Sequence, residues 1–227
     1  MQIIPTLLTT HQSEFLEQME LFQKYYTRIQ LDIADGILVP NKTTQIEEMI
    51  TLFSENRALF KPNVMFDFHL MVNHFEGELE KIKKLKELGM NIQIVLINAG
   101  LNPEIAKIKS NYQLNIGLDV FPDMEITYIN SQYDLNTCQA IQIMTVNPGF
   151  QGSPFLEKML LKIEQLRVAG YKSPILIDGG VNSTTISLIQ NKTYKPDILC
   201  IGSYLTKAGA QLERRVQDLN NLQDIPA

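Results

Sequence analysis

Two carboxylates and one imidazole occupy similar positions on apolar, strand-like segments, where they could bind a cation. Asp32 and His69 each lie near the carboxyl end of such a segment, and Asp178 ends another. Alternate residues of a strand share a face, so Asp32 shares its face with Gln30, and His69 shares its face with Asp67. A carboxylate is costly to bury against apolar helices. We therefore expect Asp32, His69 and Asp178 to point inward and to converge on one mouth.

A divalent metal ion would satisfy these three side chains together, because buried charges need partners. Each residue also has a simpler interpretation. An aspartate at the end of a strand often caps a helix or anchors a loop, and a core histidine is often held by ordinary hydrogen bonds. Three such residues at one depth and on one face favour the metal site. A buried hydrogen-bonded network without a metal is the alternative.

A second set of residues could hold an anion. Met144 lies in an apolar run that stops at Asn147-Pro148, which continues neither a strand interior nor a helix. Glycines at this corner and at two later corners let backbone N–H groups approach a ligand closely, as in phosphate-binding nests. These residues are Gly149, Gly152, Gly179, Gly180, Gly202 and the adjacent Ser203. The alternative is that the glycines only permit tight turns.

The elements that must position these residues alternate along the chain. Eight apolar strand-like segments are each followed by an amphipathic helical pattern, which is typical of a parallel sheet covered on its outer face. The predicted strands are 2–8, 28–34, 63–72, 91–98, 114–121, 140–146, 174–177 and 197–201. Eight units favour a closed (β/α)8 barrel, the TIM barrel, over an open doubly wound sheet. We expect residues 1–227 to form a single barrel domain, although length alone also allows two small domains.

Composition excludes several classes of function. The formal net charge is −5, and no basic face predicts nucleic-acid binding. No apolar run approaches the roughly 18 residues that span a bilayer, and the N-terminal segment lacks the pattern of a signal peptide. Only Cys138 and Cys200 occur, and their spacing favours a buried, reduced pair in a cytoplasmic protein over a disulfide.

Six segments, in order along nearly the whole chain, resemble the ribulose-phosphate 3-epimerase family. They correspond to that family's PSIL, VDVMDGHFVPN, HLMV, MTVNPGFGG, VDGGV and GS motifs. The matching segments are PTLL at 5–8, LDIADGILVPN at 31–41, HLMV at 69–72, MTVNPGFQG at 144–152, IDGGV at 177–181 and GS at 202–203. Ordered matches of this length are highly specific, and the resemblance predicts the same barrel.

The resemblance implies an isomerase of carbohydrate metabolism in the pentose phosphate pathway. It implies metal-dependent epimerisation at C3 of a ketose phosphate, converting D-ribulose 5-phosphate to D-xylulose 5-phosphate. Asp32 and Asp178 would be the acid/base pair, one on each face of the substrate, acting through an enediolate. Asp32, His69 and Asp178 would also bind one divalent metal ion, which could be zinc, iron, manganese or cobalt.

The same resemblance assigns the substrate site. Thr6, His69 and Met144 would lie against the sugar, and the six glycine-corner residues would hold its phosphate, with the loop 149–155 as a candidate lid. The expected partner is a small-molecule sugar phosphate, with neither nucleic acid nor membrane. Further copies of the chain are expected to form a homo-oligomer.

Three departures from the family pattern surround this site. Gln30 stands where the family has a ligand histidine, so it either coordinates weakly or binds a metal-bound water. Ala34 replaces a bulky methionine, and Asn98-Ala-Gly100 replaces the usual HxE. Two alternatives follow. One is a hexulose 6-phosphate epimerase, acting for example on allulose 6-phosphate. The other is a catalytically degenerate barrel that binds a sugar phosphate.

Overall fold

The computed structural model describes residues 1–148 and 152–223. Gln223 is described by its backbone alone. The strands of this part are parallel and close into a barrel in chain order, with β1 paired to both β2 and β8. The predicted (β/α)8 TIM barrel is therefore confirmed. The strands are β1 Gln2–Leu7, β2 Arg28–Ala34, β3 Met65–Met71, β4 Ile92–Asn98, β5 Ile116–Val120, β6 Ile141–Met144, β7 Ile175–Asp178 and β8 Ile198–Ile201.

Helices follow the strands and cover the outside of the barrel. They are α1 Gln12–Phe22, α2 Ile46–Glu55, α3 Phe75–Glu87, α4 Ile105–Tyr112, α5 Ile126–Gln132, α6 Leu161–Val168, α7 Ser183–Gln190, α8 Ser203–Thr206 and α9 Leu212–Gln223. Short 3-10 turns join several of them to their neighbours. Among the described helices, none has both the length and the apolar character required to traverse a bilayer.

The alternation of side chains along each strand separates two cores. On β2, Ile29, Leu31 and Ile33 face the helices and belong to the large outer core. A smaller apolar cluster fills the barrel interior, and its members are Ile4, Ile94, Leu96, Ala140, Leu176, Ile198 and Cys200. The inward positions of β2, β3, β5, β6 and β7 also carry buried polar residues, namely Gln30, Asp32, Asp67, His69, Asp119, Gln142 and Asp178. The barrel interior therefore combines apolar side chains with a group of buried polar ones.

Two helices differ from the sequence prediction. The pattern at 155–169 predicts one helix, but the chain first forms a 3-10 turn over Glu157–Leu160, and α6 begins at Leu161. The backbone N–H of Leu156 donates to the carbonyl of Thr145 at 2.7 Å, which holds this stretch along the end of β6 before the helix can start. The apolar pattern at 204–222 likewise predicts one helix, but the chain forms α8 and α9 instead, with Gly209 between them at a φ of +53°.

Candidate active site

Asp32, His69 and Asp178 converge at the upper layer of the barrel interior. β2 and β3 are in register so that Asp32 lies beside His69, while Asp178 ends β7. Nδ1 of His69 lies 3.1 Å from Oδ1 of Asp32 and 3.6 Å from Oδ2 of Asp178. One ligand atom from each residue lies within 4.8 Å of the other two, and all three residues are buried. The expected convergence is thus present in the structure.

Gln30 lies beneath this group with its amide nitrogen toward the carboxylates. Its Nε2 donates to Oδ1 of Asp32 at 3.2 Å and to Oδ2 of Asp178 at 2.8 Å. Its Oε1 accepts from the Cys200 thiol at 3.3 Å. In this orientation, assigned from the hydrogen-bond network, Gln30 is a donor to both carboxylates.

Sequence reasoning missed two inward polar residues beside this group. Gln142 on β6 donates to Oδ2 of Asp178 at 3.5 Å. Asp119 on β5 is fully buried, and its Oδ2 lies 3.1 Å from Nε2 of His69. The signal was available, because Asp119 stands between Leu118 and Val120, which face the helices, so that its own side chain must face inward.

Burial and neighbouring charges together raise the pKa of two of the central groups, Asp178 and His69. Burial, and then the carboxylate of Asp32, raises the pKa of Asp178. Burial alone would lower the pKa of His69, but the carboxylates of Asp119 and Asp32 outweigh it and raise that pKa well above its usual value. Without a metal, Asp178 and His69 are thus the groups that retain protons.

Asp67 shares the inward face of His69 on β3 but takes no part in the group. Nε of Arg28 lies 3.0 Å from both of its carboxylate oxygens, and Nη2 lies 2.9 Å from Oδ2. This bidentate pair sits one layer below Asp32, because Asp67 is in register with Gln30. The guanidinium group of Arg28 therefore compensates the buried charge of Asp67, which has a structural role.

A cavity opens above the group toward solvent. Of the expected site residues, Asp32 and Asp178 lie at its wall, whereas His69 is packed behind them. The other expected residues in its lining are Thr6, Met144, Gly152, Gly179, Gly180, Gly202 and Ser203. Gly149 lies outside the described residues, as does part of the candidate lid. Thr6 carries a buried Oγ1 that has no hydrogen-bond partner within residues 1–148 and 152–223, so this hydroxyl is available to a ligand.

The glycines after β7 are required by close packing. Gly179 and Gly180 have φ of +107° and +67°. A Cβ at Gly179 would collide with the side chain of Val146, and one at Gly180 would lie 3.0 Å from Phe155. The Thr145 hydroxyl donates to the carbonyls of Asp178 and Gly179 at 2.9 and 2.6 Å. The turn that carries Asp178 is therefore firmly held.

Ala34, the small residue at the end of β2, does not enlarge the cavity. It is fully buried in a cluster with Val39 and Met71, against which Leu8 and Phe121 pack. Met71 lines the cavity, whereas Ala34 does not. The volume that a larger side chain would take is thus occupied by neighbouring apolar groups.

The donor set fits a divalent metal ion. Two carboxylates and an imidazole nitrogen suit the transition metals named above. Nδ1 of His69 faces both carboxylates, whereas the amide of Gln30 points its N–H groups into the same space and could ligate a cation only after turning over. A bound cation would offset the electrostatic repulsion between these two buried carboxylates.

Comparison with known proteins agrees with these features. A sequence model of the ribulose-phosphate 3 epimerase family matches residues 2–206. The ribulose-phosphate 3-epimerase of Helicobacter pylori is 28% identical over 217 residues, covering 92% of each chain. The enzyme of that name from Chlamydia pneumoniae is 29% identical over 201 residues, covering 85% of this chain and 82% of its own.

Among solved structures, the tryptophan synthase A-subunit of Pyrococcus furiosus superposes with a TM-score of 0.68 at 12% identity. The match covers 97% of this chain and 98% of that chain. At such low identity the likeness shows the barrel fold alone.

Proposed function

The chain belongs to the ribulose-phosphate 3-epimerase family, whose members are carbohydrate isomerases, and from this premise we propose that it converts D-ribulose 5-phosphate to D-xylulose 5-phosphate by epimerisation at C3. The observation that carries the proposal is the meeting of Asp32 and Asp178 in the lining of one cavity, where the amide of Gln30 donates to both. Epimerisation needs two proton carriers, because a single base would return the proton to the face it left.

Asp32 and Asp178 divide the proton transfer between them. One carboxylate removes the C3 proton from its face of the substrate, and the other then returns a proton to the opposite face. The carboxylate of Asp32 is held in place by Nδ1 of His69 at 3.1 Å and by Nε2 of Gln30 at 3.2 Å. The substrate passes through an enediolate between the two transfers.

Asp32, His69 and Asp178 would hold one divalent metal ion, with Gln30 as a possible fourth ligand if its amide turns over. When bound, the ion supplies electrostatic stabilisation of negative charge that develops on the substrate oxygens. The protein's own part is to keep water out of the barrel interior and to fix the two carboxylates. The apolar side chains of the barrel interior serve the first purpose.

The sugar would lie in the cavity with its phosphate toward the last two corners. The unpartnered Thr6 hydroxyl suits a sugar oxygen, and Met144 offers an apolar surface beside the reacting carbons. The turn at Gly179 and Gly180 and the corner at Gly202 and Ser203 would direct backbone amides to the phosphate. Gly149 and Gly152 are assigned to the same role by motif.

The described residues give no support to the hexulose 6-phosphate alternative, since Ala34 is buried in an apolar cluster with Val39 and Met71 and does not line the cavity. The retention of two convergent aspartates argues against a barrel that only binds. The homo-oligomer, the cytoplasmic location and a single domain over residues 1–227 stay predictions.

The proposal is tested by following epimerisation of ribulose 5-phosphate together with entry of solvent deuterium at C3. We expect both, with a rate far above that for allulose 6-phosphate. A faster rate on the hexulose phosphate would transfer the proposal to that substrate. Absence of deuterium entry with zinc, iron, manganese and cobalt each added in turn would leave only a binding protein.

A further inference from the structure

Asp119 is a buried carboxylate that the proposed proton transfers do not use. It lies on the inward face of β5 and is completely inaccessible to solvent. Neither of its oxygens has a well-aligned hydrogen-bond donor within residues 1–148 and 152–223. A bare carboxylate in such a place is costly, so its retention calls for a compensating contact.

That contact is with the imidazole of His69. Oδ2 of Asp119 lies 3.1 Å from Nε2, while Nδ1 on the other side of the ring faces Asp32 at 3.1 Å and Asp178 at 3.6 Å. The separation from Asp119 is that of a close ionic contact, but the N–H direction at Nε2 does not make it a well-aligned hydrogen bond. The ring thus lies between three carboxylates, of which Asp32 and Asp178 belong to the candidate metal site and Asp119 does not.

We propose that Asp119 is a positioning residue that keeps a proton on Nε2 of His69 and thereby directs the Nδ1 lone pair at the metal site. A ligating histidine normally donates its other N–H to a carboxylate or carbonyl, which fixes the ring and makes the ligand nitrogen more basic. Asp119 is a carboxylate in this position. The inference rests on the metal site proposed above.

The arrangement also offsets the change at Gln30. An amide there is a weaker ligand than imidazole, so the site depends more heavily on His69. A charged partner on the far side of that ring increases the electron density at Nδ1. The chain therefore binds the metal with three strong ligands, one of which is reinforced by Asp119.

The test measures metal affinity by competition with a chelator for zinc, using Asp119→Asn and Asp119→Val. Loss of such a partner costs about 10- to 100-fold in metal affinity. We expect Asp119→Val to fall in this range and Asp119→Asn to lose less, because its carbonyl can still accept from Nε2. Asp67→Asn is the matched control, a buried aspartate on the face of His69 that is paired with Arg28 instead.

A second readout separates positioning from a purely structural role. The chain has three histidines, and His11 and His74 are exposed, so the imidazole signals of 15N-labelled protein can be assigned by elimination. In the zinc-loaded protein we expect the proton on Nε2 and the metal-shifted resonance on Nδ1. Asp119→Val should weaken or reverse this preference.

Unchanged zinc affinity in both folded Asp119 variants, or a proton on Nδ1 in the loaded wild type, would overturn the inference while leaving the proposed epimerase intact. Should Asp119→Val not fold, the comparison of Asp119→Asn with Asp67→Asn decides. If the wild-type chain binds no divalent ion, the metal site and this inference fall together.

Discussion

The thiol of Cys200 donates to Oε1 of Gln30 at 3.3 Å, while Nε2 of the same amide donates to the carboxylates of Asp32 and Asp178. Gln142 competes for the same thiol at a longer distance of 3.7 Å. The glutamine at the position of a family histidine is thus held as a hydrogen-bond donor. The effect of substituting Gln30 on metal binding follows from this orientation of its amide.

Gln30→His should tighten retention of zinc. An imidazole can present a lone pair where the amide now presents N–H groups, and it adds a strong fourth ligand to Asp32, His69 and Asp178. The measurement is the metal content of purified protein after dialysis against a graded series of chelator concentrations. We expect the variant to keep zinc at chelator concentrations at least about tenfold above those that strip the wild type.

Gln30→Leu is the control, because it removes the amide and supplies no ligand. It should not tighten retention. If Gln30→His retains zinc no better than the wild type, residue 30 does not lie beside the ion.

The two aspartates should be separable by isotope exchange. Asp32→Asn and Asp178→Asn each leave one proton carrier, so each should lose epimerisation by about 100- to 10,000-fold. The remaining carrier can still exchange the C3 hydrogen of the epimer whose proton faces it. We expect one variant to exchange deuterium into ribulose 5-phosphate and the other into xylulose 5-phosphate, as followed by mass spectrometry.

Asp67→Asn serves as the control here also, since its carboxylate is held by Arg28 one layer below. It should retain epimerisation. Exchange of both epimers by either aspartate variant would show that a single residue serves both faces.

Metal binding should release protons. The pKa of His69 is held well above its usual value by Asp119 and Asp32 against the effect of burial, so the metal-free protein carries a proton there at neutral pH. A metal must displace it, and the raised pKa of Asp178 adds a second proton to displace. Affinity should therefore rise with pH through the neutral range.

The measurement is calorimetry of zinc binding at one pH in two buffers that differ in ionisation enthalpy. The difference in observed heat should correspond to release of about one to two protons. Equal heats in both buffers would mean that neither His69 nor Asp178 releases a proton when the metal binds.

Much of this architecture was predictable because it rests on local patterns. The alternation in β2 places Ile29, Leu31 and Ile33 outward and Asp32 inward, and the structure follows that pattern. The same rule brings His69 to the interior. Parallel pairing then determines that strand ends meet, which is why Asp178 could be placed beside residues far away in sequence.

The missed features depend on contacts that no local pattern encodes. Asp119 obeys the alternation rule, but its importance arises only from the approach of His69 across the interior. The orientation of the Gln30 amide depends on Cys200, 170 positions away. The late start of α6 follows from the bond between Leu156 and Thr145, which competes with a pattern that by itself favours a helix.

Asp35 should stabilise the mouth in a pH-dependent manner. It accepts from the backbone N–H groups of Ile37 at 2.7 Å, Leu38 at 3.0 Å and Asn73 at 2.7 Å, which ties the loop after β2 to the loop after β3. Burial opposes these amides, but together they lower the pKa of Asp35 below its ordinary 3.8. The stabilisation is therefore present above about pH 4 and lost as the pH falls through the lowered pKa.

Asp35→Ala should lower the urea midpoint at pH 7, and its difference from the wild type should narrow as the pH approaches 3. The exposed Asp123 provides the control, since Asp123→Ala removes a carboxylate without such contacts. A difference that widens on acidification would contradict the assignment.

Lys162 should anchor the turn that follows Asp119. Its ammonium group is buried and donates to the carbonyl oxygens of Phe121 at 2.9 Å, Pro122 at 3.0 Å and Met124. Lys162→Met would keep the length and apolar stem of the side chain but remove the ammonium group that donates to these three oxygens. Losing hydrogen bonds from a charged group typically costs about 1.5 to 3 kcal/mol, and we expect the free energy of unfolding to fall by about that amount.

Urea unfolding of Lys162→Met and of Lys158→Met makes the comparison, because Lys158 is exposed four residues earlier and should be replaceable at little cost. The loss at Lys162 should bring the turn after β5 closer to local unfolding, which faster hydrogen exchange at Met124 would report. The N–H of Met124 donates to the carbonyl of Phe121, one of the oxygens that Lys162 holds. Equal midpoints for the two variants would mean that the free energy needed to desolvate the Lys162 ammonium group equals the stabilisation from its three hydrogen bonds.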